Sequence, residues 1–124
     1  MPPHAAVQLC PPLAVPGGIV LRVTRTDTSG RERGRTDFPP VADPVQAVQL
    51  MCRTVVTYTS FMTPLSRTRA GLWVVSRAEL HAAVACLANI RSYRRSWTLR
   101  NGHILTLAAV PSGAAEQHRK APVR

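Results

Sequence analysis

Along this chain the spacing of apolar residues changes from every second position to every third or fourth and back again. That switch constrains the fold more than any other feature. Over 18–26, Ile19, Leu21 and Val23 alternate with Arg22, Thr24 and Thr26, the two-residue period of a half-buried strand. Over 44–62, Val45, Val48, Cys52, Val55 and Met62 follow helical spacing, with Met51 and Tyr58 at the margins. Asp43 suits an N-cap, and Pro44 suits the first helical position because its missing N–H would have no partner there. Thr54, Val55, Val56, Thr57 and Thr59 are stiff at χ1 and form helix poorly, so 54–62 stays open between helix and strand. A helix over 44–62 is the expectation.

Pro64 ends that element. A loop is expected over 63–71, followed by a short buried strand at Leu72-Trp73-Val74-Val75. Ser76-Arg77-Ala78-Glu79 is a capping box, in which Ser76 accepts from the first turn and Glu79 reaches back. Behind it Leu80, Ala83, Val84, Leu87 and Ile90 form an apolar stripe, predicting a helix over 77–94. Arg91, Arg94 and Arg95 then complement the negative end of its dipole. Asn101-Gly102 predicts a two-residue hairpin turn within 96–110, pairing Arg100 with His103 and Leu99 with Ile104, and setting Trp97 opposite Thr106.

The expected order is β-α-β-α-β-β. It implies an α+β two-layer sandwich, with two helices on one face of a small mixed four-stranded sheet. Residues 1–17 hold five prolines and read as a flexible arm. Residues 18–110 form the single domain, and 111–124 read as a basic disordered tail. Residues 27–42 read as a long loop with three arginines near its tip.

Charge limits the partners. Sixteen Lys and Arg face six Asp and Glu, a formal net charge of +10, and Lys120 is the only lysine. Such a surface attracts polyanions. A GC-rich coding sequence also favours Arg over Lys, so charge alone does not establish nucleic-acid binding. The basic residues gather in three places: Arg31, Arg33 and Arg35 in the loop; Arg91, Arg94, Arg95 and Arg100 around Tyr93 and Trp97; and the tail. Arginines on phosphates, with Tyr93 or Trp97 as stacking platforms, are the residues through which a single strand would be held. At each place a bland role competes: helix-end electrostatics for the second group, hairpin core for Trp97, and solvation for the loop.

An enzyme is not expected. His4, His81, His103 and His118 are dispersed, and Glu79 and His81 are two apart on a helix and so share no face. Nucleotide-binding, zinc-protease and serine-hydrolase motifs are absent. Cys10, Cys52 and Cys86 are odd in number and contain no close pair, so neither a zinc site nor a disulfide framework is indicated. No metal or cofactor is expected. No apolar run approaches the roughly 18 residues of a membrane span, and the proline-broken N-terminus makes a poor secretory signal, so a cytoplasmic location without membrane contact is expected.

The remaining class is a small interaction or accessory module. The run from His103 to Val110 carries no Lys, Arg or Pro and reads as an exposed hairpin edge, with Ile104, Leu105 and Leu107 as its interface. Pairing with a protein partner, or with a second copy in a homodimer, would cover it. Nucleic-acid binding through the arginine groups is the alternative.

Overall fold

In the computed structural model, residues 15–112 are described. They fold into an α+β domain of two layers, a four-stranded sheet and three helices. Strands β1 (Ile19–Thr26) and β2 (Glu32–Asp37) come first, followed by helices α1 (Pro44–Tyr58), α2 (Pro64–Val75) and α3 (Arg77–Ala88). Strands β3 (Tyr93–Thr98) and β4 (Ile104–Pro111) complete the chain. The sheet order is β2-β1-β4-β3 and every neighbouring pair is antiparallel. The sheet is thus not mixed. Each pair of edge and centre strands is a hairpin, and all three helices are inserted between the two hairpins, so the described residues contain no β-α-β crossover.

Two short turns build the hairpins in the same way. Gly30 N–H donates to the Asp27 carbonyl (3.0 Å) and Gly102 N–H to that of Leu99 (2.9 Å), and both glycines have φ of 87°. That positive φ closes a three-residue loop, Thr28-Ser29-Gly30 in one hairpin and Arg100-Asn101-Gly102 in the other. The register therefore differs by one from the expected two-residue turn. Trp97 lies opposite Leu105, and Ser96 lies opposite Thr106, with their hydroxyls 2.8 Å apart. Residues 27–37, expected as part of a loop, are a turn and an edge strand.

The helices begin where side chains can satisfy their free N–H groups. Asp43 accepts from Val45 N–H (2.8 Å), and Ser76 accepts from Glu79 N–H (3.2 Å). Thr63 accepts from Ser66 N–H (3.2 Å) directly before Pro64, which makes Pro64 the first residue of a helix as well as the end of the previous element. The expected strand at 72–75 is the last turn of this helix. Helix α1 runs to Tyr58 and tightens into a 3₁₀ turn, Thr59–Phe61. Thr54 and Thr57 donate to the carbonyls four residues back, and burial of Met51, Thr54 and Val55 supplies what helix propensity does not.

Helix α3 stops at Ala88, six residues before the expected end. Arg91 N–H donates to the Cys86 carbonyl (3.1 Å) and Ile90 N–H to that of Leu87 (3.0 Å), with Ile90 at φ 59°. These are the bonds of a Schellman stop, with isoleucine where glycine usually stands. Arg94 and Arg95 consequently lie in β3, not in a helical last turn.

The helices pack against one face of the sheet. Ile19, Leu21 and Val23 of β1, Leu105, Leu107 and Ala109 of β4 and Trp97 of β3 meet Met51, Val55, Trp73 and Leu87 in one core. Helix α2 contributes little besides Ser66, Ala70 and Trp73, so the indole anchors it. Trp73 stacks on Tyr93 (centroids 6.4 Å), meets Trp97 edge-on (5.8 Å) and donates from Nε1 to the Tyr93 hydroxyl (3.0 Å). Of the expected N-terminal arm, 1–14 lie outside the described residues, but Val15 is 4% exposed and its N–H donates to the Ala42 carbonyl (2.8 Å). Pro111 belongs to β4, and 113–124 lie outside the described residues.

Candidate functional site

The run read as an exposed edge is the middle of the sheet. β4 pairs with β1 on one side and β3 on the other, so its backbone groups are taken. Leu105 and Leu107 are core residues, and Ile104 is half-buried on the opposite face. Among the described residues the edges are β2, Glu-Arg-Gly-Arg-Thr-Asp, and β3, with Arg94 and Arg95. Charge on the edges and apolar residues in the centre is how a sheet resists stray pairing. The β3 edge is further closed where Ser66 Oγ accepts from Thr98 N–H (2.8 Å) and Thr63 N–H donates to the Thr98 carbonyl (3.0 Å).

Arg31, Arg33, Arg35, Arg94, Arg95 and Arg100, the arginines expected on phosphates, do not form one patch. Arg94 lies on the sheet face away from the helices, and Arg95 on the helix face. Arg95 sits 5.7 Å over the Trp73 ring and 3.5 Å from Glu79, a structural position. Arg35 points to the open face and pairs with Asp37 (3.5 Å), which also holds Arg22 (3.0 Å). Arg33 pairs with Asp27 (3.3 Å). Trp97 is a core aromatic, only 3% exposed, and Tyr93 is half-buried with its ring stacked on Trp73. Among the described residues Arg94 forms no ion pair but stands on the open face; Arg31, beside the first turn, and Arg100, within the second, remain at the turns.

Those turns lie side by side at one end of the sheet. A Cβ on Gly102 would come within 3.1 Å of the Thr28 methyl. Beside them, on the helix side, a cavity of about 480 Å³ opens between β1, β2, the end of α1 and the β3–β4 turn. Val23, Leu99 and Leu105 form its apolar floor, and the rings of Tyr58 and Phe61 form one wall, their centroids 6.5 Å apart. Phe61 is 60% exposed. Arg25, on the same face as Val23 and Leu105, and Arg100 stand at its mouth. Arg100 is tied to the wall through its N–H, which donates to the Phe61 carbonyl (2.8 Å).

Two of the three carboxylates on this hairpin, Asp27 and Asp37, are engaged, and among the described residues Glu32 forms no ion pair. Asp27 Oδ1 accepts from the Ser29 hydroxyl (2.7 Å), Ser29 N–H (2.9 Å) and Arg31 N–H (3.0 Å). The Ser29 hydroxyl first, then the loop amides and Arg33, hold the Asp27 carboxyl below its ordinary range. The Arg22 hydrogen bond does the same for Asp37. Among the described residues Arg25, Arg31 and Arg100 form no ion pair. Their charge is therefore free to meet an anion.

Of the residues lining this cavity, the sequence singles out Arg35 and Arg100 and, as part of an expected edge, Leu105. Sequence reasoning misses Arg25, Gly34, Tyr58 and Phe61. The signal that leads to them is Asp27 with Gly30 three residues later, a turn pattern. It predicts the hairpin, but a register shift between Arg25 and Thr26 is what sets Gly34, and not Arg33, opposite Arg25.

Among the described residues no group of three or more His, Cys, Asp or Glu could hold a metal ion. Among the described residues no single helix is long and apolar enough to cross a membrane. No protein-family model, no curated protein and no solved structure matches the chain.

Proposed function

We propose that this is a non-enzymatic, cytoplasmic binding protein for single-stranded nucleic acid, engaged at the paired turns. The observation that carries the proposal is an apolar, ring-walled cavity whose mouth holds arginines without carboxylate partners. Arginine on phosphate beside an exposed ring is the combination by which single strands are held without a sequence code. Fluorescence anisotropy with labelled single- and double-stranded oligonucleotides across a salt series tests it. Binding falls as salt rises, and Arg25→Ala, Arg31→Ala and Arg100→Ala each lower the log–log salt slope by roughly one. Absence of binding at low salt, or a slope untouched by all three changes, rejects the proposal.

A second reading, a module that binds protein or its own copy, is favoured by one observation. Leu65, Leu72 and Val75 of α2 are 63–74% exposed, an apolar stripe facing away from the core. Sedimentation velocity of the parent and of Leu72→Glu tests the homodimer form. Concentration-dependent association lost in the variant supports it, and a parent that stays monomeric at high micromolar concentration rejects it.

A further inference from the structure

We propose that the cavity beside Gly34 accepts one unstacked base of a single strand, with Arg25 and Arg100 on the flanking phosphates. This rests on the single-strand reading above and adds what the cavity itself reads.

A cleft of about 480 Å³ is of the size that encloses a small molecule. Its chemistry matches a base more closely than a phosphate. The floor of Val23, Leu99 and Leu105 and the rings of Tyr58 and Phe61 offer apolar surface to a flat ring. The two rings are tilted by 58°, so one can lie against a base while the other borders its edge. Polar groups stand at the rim. Asn101 Oδ1 accepts from His103 N–H (3.0 Å), which fixes the carboxamide and leaves its nitrogen to donate to a base carbonyl. The phosphates that accompany the base then lie near Arg25 and Arg100. A base stacked in a duplex cannot enter such a cleft, whereas a splayed base can.

Gly34 keeps the cleft open. It lies within a strand, opposite Arg25, and its φ is not in the left-handed region, so the backbone does not require glycine there. A Cβ at this position would meet no atom within 4 Å. A larger side chain would therefore project into the cleft without disturbing the fold, and β2, as an edge strand, tolerates it.

The test uses the full chain and two labelled strands of equal length, oligothymidylate and its abasic counterpart, which has the phosphates but no bases. The parent binds oligothymidylate about tenfold more tightly. Gly34→Leu loses that preference while its affinity for the abasic strand and its salt slope stay as in the parent. Phe61→Ala, a change at an exposed position, also reduces the preference, and circular dichroism shows both variants folded. Equal affinity of the parent for the two strands overturns the base pocket but leaves the phosphate-binding surface standing, as does a full preference in Gly34→Leu. If neither strand binds the parent, the single-strand reading fails and the pocket proposal with it.

Discussion

Replacing Tyr93 by Phe removes one oxygen atom from beside the buried Trp73 indole. The Tyr93 hydroxyl accepts from Trp73 Nε1 at 3.0 Å, and Trp73 is 2% exposed. Phenylalanine keeps the ring stack at 6.4 Å but leaves the indole N–H without a partner. A buried donor left unpaired costs about 1–3 kcal/mol. For a domain of this size each 1 kcal/mol lowers Tm by roughly 4–8 °C. Urea unfolding followed by tryptophan fluorescence gives the cost directly. The same change made in Trp73→Phe, where no indole N–H remains, costs much less, and the difference between the two is the coupling energy. Nucleic-acid affinity stays at the parent's value in Tyr93→Phe, because Tyr93 lies away from the cavity. A cost within the roughly 0.5 kcal/mol of an ordinary surface change refutes the reasoning. So does a cost that persists undiminished without the indole.

Leu105→Lys places a charge at a 2% exposed position between β1 and β3, and the protein is expected to lose its fold instead of merely dissociating; a cooperative unfolding transition in the variant would contradict this. Thr63→Ala removes the cap of α2 and costs about 1 kcal/mol, read as a fall in Tm, and an unchanged melt would show that the cap does not set where α2 starts. Asp27 and Asp37 have folded pKa values below the unfolded value, so the stability they contribute is present above that value and is lost as the pH falls below about 4. Melting curves taken down through that range show the loss, and Asp27→Asn with Asp37→Asn flattens it.

The starts of α1 and α3 are legible in the sequence because Asp43-Pro44 and Ser76-Arg77-Ala78-Glu79 satisfy free N–H groups with nearby side chains. Strand β1 is legible from its alternation. Helix α2 is not. Pro64 both ends the element before it and begins the helix after it, and the buried stripe of α2 is narrow, with Ser66 and Ala70 as two of its three residues. Its end, Val74-Val75, resembles strand when read alone. The end of α3 is hidden because Ile90, a β-branched residue, holds the left-handed position where a glycine would have marked the stop. The uncharged run of β4 has the composition of an open edge, yet it is uncharged because a strand lies on each side of it. The candidate site is the least legible part. It depends on which distant residues the two turns bring together, and only strand pairing sets Gly34 beside Arg25 and both beside Leu99 and Phe61.

The central β1–β4 pair joins the first described strand to the last, with Ser112 N–H donating to the Gly18 carbonyl where they end. Each hairpin is local and can close alone. The sheet is not whole until β4 has left the ribosome, and until then β1 can pair only with β2. Contacts this far apart in sequence make folding slow. Joining residue 112 to residue 15 and opening the chain between α1 and α2 turns this distant pair into neighbours and keeps both hairpins local. Such a permuted chain is expected to refold faster in stopped-flow mixing, and an unchanged rate would place the slow step within the helices.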